Sequence, residues 1–430
     1  MIKKILRQIK TSIWFYPIWY SIIALAIALL MYYVDANITE EWMLYRTSLL
    51  YTSTDLAEQI LGIIATAFIT TMTFTFSTTM VVLTMYSSQF SPRVVENFLT
   101  QQTTLKSFAV FLSGFIYAIT SLLFLDTSGT KSVVISAVVG VVYIIIGLVY
   151  FLRFINNVST YVQASNLIKR LQDKATDNIN RYKEFIQKAT IISGENIRYA
   201  KEKQAIISPK NGYIQEIHYK KLYEIAKKNE IIVYLDKVVG QFITDQTSLG
   251  MVYYEQEQEI KEKDLEEIQR CVYVGEKKTE TQDFRFAVQK IVEIALKALS
   301  PGINDPYTAI HCIHILGLLL REIAEFEKGY VVMKEEEEKG YMISEAYDFE
   351  VIIEDSFDQI IHYGREDAYV ALAVLKSLKS IREKSSFDNT KIVEAYAKRL
   401  YQKMKAEHND PAHLEKIEYE ITQLKEMKPF

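Results

Sequence analysis

Cysteine is nearly missing from this chain of 430 residues: Cys271 and Cys312 are its whole complement. That excludes a disulfide framework beyond a single bridge and fits a reducing compartment. A net charge of any size is missing too. The 49 Lys and Arg against 53 Asp and Glu leave −4, too little of one sign to make nucleic acid the main partner. No Gly-rich loop able to cradle a phosphate occurs, and no Ser-His-Asp or Cys-His arrangement is indicated. No enzyme and no cofactor are therefore expected. One absence is local: no Asp, Glu, Lys or Arg lies between Glu58 and Arg93. At 1.5 Å per residue that interval exceeds the roughly 30 Å hydrocarbon core of a bilayer.

What is present is segregated. Up to about residue 155 the chain is nearly free of charge outside its N-terminus and connecting segments, and beyond it charge is dense. A membrane half followed by a soluble half is expected, since one compact domain of this length is improbable on size alone. Four apolar spans read as transmembrane helices: about 13–34, the stretch 60–93 with no charge before Arg93, about 107–125 and about 133–151. The first follows Lys3, Lys4, Arg7 and Lys10 but lacks a small-residue cleavage pattern, so it reads as an uncleaved helix. Tyr and Trp flank it where an aromatic belt belongs. The fourth carries Ser136, Gly140 and Gly147 as a small-residue contact face. Lys and Arg gather in the N-terminal tail, in the 93–106 connection (with a short interfacial helix at 92–99) and after the fourth span. That pattern places both termini in the cytoplasm and the acidic 35–58 segment outside.

The uncharged second span is crowded with hydroxyls. Thr66, Thr70, Thr73, Ser77 and Thr84 fall at steps of three, four or seven, hence on one stripe of a helix turning about 100° per residue. Thr71, Thr75, Thr78 and Thr79 occupy the opposite face. Two environments satisfy such a stripe. One is a neighbouring helix, since small hydroxylated residues are common where membrane helices touch. The other is water in the lumen of a symmetric homo-oligomer. In the second case Asp55 and Glu58 attract cations at the outer mouth and Arg93 guards the inner one. Phe68, Phe74 or Phe76 then forms an apolar gate. A non-conducting scaffold or sensor, whose cytoplasmic part binds a protein or a small ligand, is the alternative.

The soluble half reads as α+β. A helical stalk is expected over 156–205. A small β-barrel follows over 206–254, opening on a hairpin turned at Asn211-Gly212. A mainly helical region spans 255–430, with a β-hairpin near 330–344. Thr281 is expected to cap a helix that ends at Ser300-Pro301-Gly302-Ile303-Asn304-Asp305-Pro306. There Gly302 supplies a positive φ, and Asn304 or Asp305 caps the next helix. The Ser300, Pro301, Gly302, Asn304, Asp305 loop is a ligand candidate or a rigid corner. His311, Cys312 and His314 invite a metal reading, but Cys312 points elsewhere on the helix and no fourth ligand is evident, so no metal is expected.

Several strings have a family look. Ser88-Gln89-Phe90-Ser91-Pro92-Arg93, Gly212-Tyr213-Ile214-Gln215 and above all Ala298-Leu299-Ser300-Pro301-Gly302-Ile303-Asn304-Asp305-Pro306 resemble the bacterial predicted membrane proteins grouped as domain of unknown function 2254. The resemblance spans nearly the whole chain. It implies a four-span membrane part and a large cytoplasmic part in a prokaryotic inner membrane, and it carries no activity. The expected function, a homo-oligomeric ion channel embedded in the lipid bilayer and passing inorganic ions, therefore rests on the residues alone.

Overall fold

The computed structural model describes residues 14–37, 52–89, 102–125, 134–161, 163–192, 202–255, 260–335, 339–407 and 410–426. The chain divides into two compact units, residues 1–166 and 167–430.

The first unit is helical. It contains α1 (Phe15–Ala36), α2 (Thr54–Gln89), α3 (Gln102–Leu123) and α4 (Ser136–Tyr161). All four are long and apolar enough to cross a membrane. Against lipid, apolar surface alone does not hold helices together, so close packing and polar contacts must. Both are visible. Phe68 of α2 is buried between Gly114 of α3 and Gly147 of α4, and at either glycine a Cβ would run into its ring. Gly140 gives the same room to Leu61 and Ile64. Tyr143 meets Phe68 edge-on at 6.1 Å and stacks on Tyr117 at 5.6 Å. Polar ties cross the bundle: Tyr143 Oη donates to Ser113 Oγ (2.8 Å) and Tyr117 Oη to the Ser136 carbonyl (2.7 Å). Asp35, at the end of α1, accepts the backbone N–H groups of Ile135 (2.8 Å) and Ser136 (3.3 Å). A carboxylate from one helix thus satisfies donors that the start of α4 leaves open.

The second unit opens with α5 (Ala164–Gln187). A single helix from 156 was expected; instead α4 ends at Tyr161 and α5 begins anew. α5 buries one face (Leu167, Ile168, Leu171, Ala175, Ile179, Ile186) and is tied into its own unit. Asn178 Nδ2 donates to the Glu280 carbonyl at 2.7 Å, and Lys183 pairs with Glu322 at 2.7 Å. It is therefore part of this unit's core and not a free stalk.

Two open sheets follow. They are built from β1 (Thr190–Ile192), β2 (Glu202–Ile207), β3 (Gly212–Ile217), β4 (Ile232–Leu235), β5 (Phe242–Ile243), β6 (Ser248–Tyr254), β7 (Val272–Gly275), β8 (Tyr330–Met333) and β9 (Tyr341–Glu345). The larger has the order β1-β8-β9-β4-β6-β2 and the smaller β5-β3-β7. The barrel expected over 206–254 is not found. β2 and β3 do not form a hairpin; they belong to different sheets, and two of the pairings reach outside the segment. β3 pairs with β7, and β4 runs parallel to β9 with Ile232 opposite Tyr341. Gly212 explains the misreading. It does hold a positive φ (+145°), but a Cβ there would strike the Gly275 carbonyl. Glycine serves a close approach between strands here, not a two-residue turn. Ile206, Ile214, Val233, Leu235, Val252, Val274 and Met342 make the buried core between these strands and α6 (Tyr219–Lys228).

Helices complete the unit: α7 (Glu262–Gln269), α8 (Phe284–Ala298), α9 (Pro306–Ile323), α10 (Phe349–Tyr363), α11 (Ala368–Arg382), α12 (Phe387–Glu407) and α13 (Pro411–Glu426). The cap of α8 is Asp283, which accepts the Phe286 N–H at 3.2 Å, and not Thr281. The hairpin β8–β9 forms as expected, with Tyr330 opposite Glu345.

Candidate functional site

α2 sorts its residues by face. Leu61, Ile64, Ala65 and Phe68 are buried against α3 and α4. On the other side Thr66, Thr70, Thr73, Ser77 and Thr84 are all exposed. Four of these hydroxyls bond to their own helix one turn back. Thr66 donates to Gly62 O (2.9 Å), Thr70 to Thr66 O (2.8 Å), Thr73 to Ile69 O (2.9 Å) and Thr84 to Met80 O (2.9 Å). Such a hydroxyl has met its donor requirement locally. Apolar side chains share the face: Ile63, Phe74 and Val81 are each more than half exposed. The second hydroxyl group behaves differently. Thr75 and Thr79 are buried, Thr71 and Thr78 half-buried, so this set belongs to the packed side.

Toward its start the exposed face of α2 borders a wide, shallow space. Asp55, Glu58, Gln59, Gly62, Ile63, Thr66, Ala67, Thr70 and Thr71 line an open groove of ≈ 1070 Å³. Asp55 sits in the first turn of α2, where the helix N-terminus stabilises a negative charge. Two carboxylates, an amide and three threonine hydroxyls thus line one groove, with no basic side chain among the described residues of its walls. The charge and the oxygen donors suit a hydrated cation.

The three phenylalanines separate. Phe68 faces the bundle core and is 2% exposed. Its ring is enclosed by Gly114, Gly147 and Tyr143, so it has no access to the stripe and is a packing residue in this chain. Phe74 and Phe76 are exposed, and the Phe74 ring lies 6.2 Å from that of Phe151. Arg93 and the 92–99 segment lie outside the described residues.

The Ser300–Pro306 loop spends its polar groups on itself. Ser300 Oγ donates to Lys297 O (2.6 Å), and the Ser300 carbonyl accepts from Ile303 N (3.0 Å) and Asn304 N (2.9 Å). Asp305 caps α9 by accepting from Thr308 N (3.1 Å) and Thr308 Oγ1 (2.6 Å). The residue with positive φ is Asn304 (+50°), not Gly302; asparagine tolerates that region. A Cβ on Gly302 would meet nothing within 4 Å, and Pro301, Gly302 and Asn304 are exposed. The loop is a self-satisfied corner between α8 and α9. His311 and His314 are exposed while Cys312 is buried. The three do not converge, and burial beside Asp305 pushes the Cys312 thiol up to about 12.

Asp35 and Ser121 were not among the residues the sequence marked, and Ser136 was marked only as part of the small-residue contact face of the fourth span. Asp35 reads there as the first acid of a connecting segment, and nothing in spacing shows that it reaches α4.

Uncharacterized proteins of Mycobacterium bovis and of Mycobacterium tuberculosis strain H37Rv are each 25% identical to the chain over 343 residues, covering 76% of it. The chain spans 64% of the length of these relatives. No solved structure matches it. The family described as predicted membrane protein (DUF2254) matches residues 10–380, and the chain belongs to that family of membrane proteins.

Proposed function

We propose that the chain assembles into a homo-oligomeric channel for inorganic cations, with α2 lining the conduction path. The observation that carries this reading is the exposed groove at the start of α2. The stripe alone does not demand water, because its threonines are bonded to their own helix. Asp55 and Glu58 add the further support, since carboxylates are not left facing hydrocarbon. A row of α2 helices around a symmetry axis gives these groups a shared aqueous mouth. Below it, Thr66, Thr70, Thr73, Ser77 and Thr84 line the path, and exposed Phe74 and Phe76 supply the apolar constriction. In this reading both termini and the second unit lie on the cytoplasmic side of a bacterial inner membrane. The second unit serves assembly or regulation, and neither nucleic acid nor a catalytic step is involved.

The test is recording from the purified full chain in planar bilayers. Cation-selective currents are expected, with the preference for cations over anions reduced in the double variant Asp55→Asn, Glu58→Gln. No conductance at any voltage, tension or pH rejects the reading. One observation favours a second reading: back-bonded hydroxyls alternating with Ile63, Phe74 and Val81 also suit a dry seam between copies. In that case the assembled particle has no water-filled axis, and Thr70→Ala with Ser77→Ala weakens assembly without an ionic phenotype.

A further inference from the structure

In the second unit, α9 carries a line of side chains that the conduction path does not involve. The helix buries Cys312, Ile313, Leu316 and Leu320 and packs on α8, α10 and α11. It exposes Tyr307 (82%), His311, His314 and Leu318 (45%). Steps of four, three and four keep these residues on one side of the helix. Between 307 and 318 there is no Asp, Glu, Lys or Arg.

The two imidazoles are about 4.5 Å apart along the helix and about 60° apart around it. Among the described residues neither ring enters a hydrogen bond or an ion pair. Burial first, then His311 and Lys376, hold the His314 ring below the usual histidine range, so at neutral pH it is uncharged and able to ligate. Imidazole nitrogen suits zinc and its neighbours in the transition series. Two such ligands are half of a tetrahedral zinc site. The same chain does not complete it: among the described residues no third His, Cys, Asp or Glu gathers with them, and Cys312 is buried.

A second copy of the same line does complete it. Tyr307 and Leu318 are equidistant from the point between residues 312 and 313, and so are His311 and His314. A two-fold axis through that point, perpendicular to α9, sets two copies antiparallel. His311 of each copy then lies opposite His314 of the other, and Tyr307 opposite Leu318. This is the self-complementarity that an isologous contact needs. No carboxylate, Lys or Arg lies between 307 and 318 to repel its own image. The exposed Lys376 ammonium opposes a cation nearby, but it acts through screening solvent, whereas the ligand bonds act at about 2 Å.

We propose that His311 and His314 of two copies of the chain together form a four-imidazole site for zinc on a two-fold axis, with Tyr307 and Leu318 closing over it on either side. The site needs two copies and no pore. It stands if the chain passes no current, and a conducting pore stands if no zinc binds.

The experiment is calorimetric titration of zinc chloride into the chelator-treated full chain in detergent at neutral pH. One zinc per two chains is expected. The double variant His311→Ala, His314→Ala is expected to bind it about a hundredfold more weakly or worse, since even outer-shell partners of a metal are worth up to that. One zinc per chain, no uptake, or uptake unchanged in the double variant overturns the site. If the double variant does not fold, His314→Gln alone is read by the same measure. The register has its own test in the chain carrying Tyr307→Cys and Leu318→Cys. A short bis-maleimide is expected to join two copies in zinc and not in EDTA; equal crosslinking in both overturns the proposal.

Discussion

At Asp283 opposing effects on one carboxyl can be ranked. It caps α8 through Phe286 N, and Lys278 and Arg285 lie near enough to favour its charged form. Burial wins nonetheless: the residue is 1% exposed, and its carboxyl is pushed up to about 6. Gly240 (φ +92°) packs so closely over it that a Cβ would strike Oδ2. Because the folded value lies above the unfolded one, the native state holds this proton more tightly. Its contribution is intact below about pH 4 and is lost as pH rises through about 6, at a cost of about 3 kcal/mol. Asp283→Asn keeps the cap and removes the titration. The stability of the wild type is therefore expected to fall relative to Asp283→Asn between about pH 4 and pH 7, measured by chemical unfolding at a series of pH values. Parallel curves would contradict the burial argument. None of this was legible in the sequence, where Thr281 looked the better cap and the close approach of Gly240 to Asp283 is a contact across more than forty positions.

The elements were more legible than their partners. Four spans were readable because a 20-residue apolar run has one common explanation. Gly140 and Gly147 were readable as a contact face because small residues let membrane helices approach. What entered that space, the Phe68 ring, was not, since phenylalanine on an apolar helix looks alike whether it faces lipid, lumen or core. The two faces of α2 now predict opposite outcomes. Phe68→Ala opens a hole between Gly114 and Gly147 and is expected to destabilise the solubilised protein by about 3 kcal/mol. Thr73→Val, on the exposed face, is expected to shift stability by no more than about 0.5 kcal/mol. Unfolding of both variants in mixed detergent micelles checks this, and equal losses would mean that copies of the chain pack on the stripe as tightly as α3 and α4 pack on Phe68.

For the whole molecule, sheet topology is where local reading stops. Alternation marks a strand but does not name its neighbour. β4 lies inside the larger sheet, with β6 antiparallel on one side and β9 parallel on the other. β9 arrives about a hundred residues later in the chain, after α8 and α9, and parallel neighbours require a crossover of this kind. Strand-rich sequence over 206–254 therefore looks like a self-contained barrel and is not one. Cut out alone, it would lose β9 from one edge of β4 and β7 from one edge of β3. It would also lose the buried Ile268, Cys271 and Met342 from its core. The fragment 206–254 is accordingly expected to show no cooperative thermal transition. The fragment 167–430, which keeps both sheets and their helices within one compact unit, is expected to unfold in a single sigmoidal step. Circular dichroism on the two fragments separates the possibilities: a folded 206–254 would mean that its strands can pair among themselves, and that the β4–β9 and β3–β7 pairings are additions to a barrel and not what holds the sheets together.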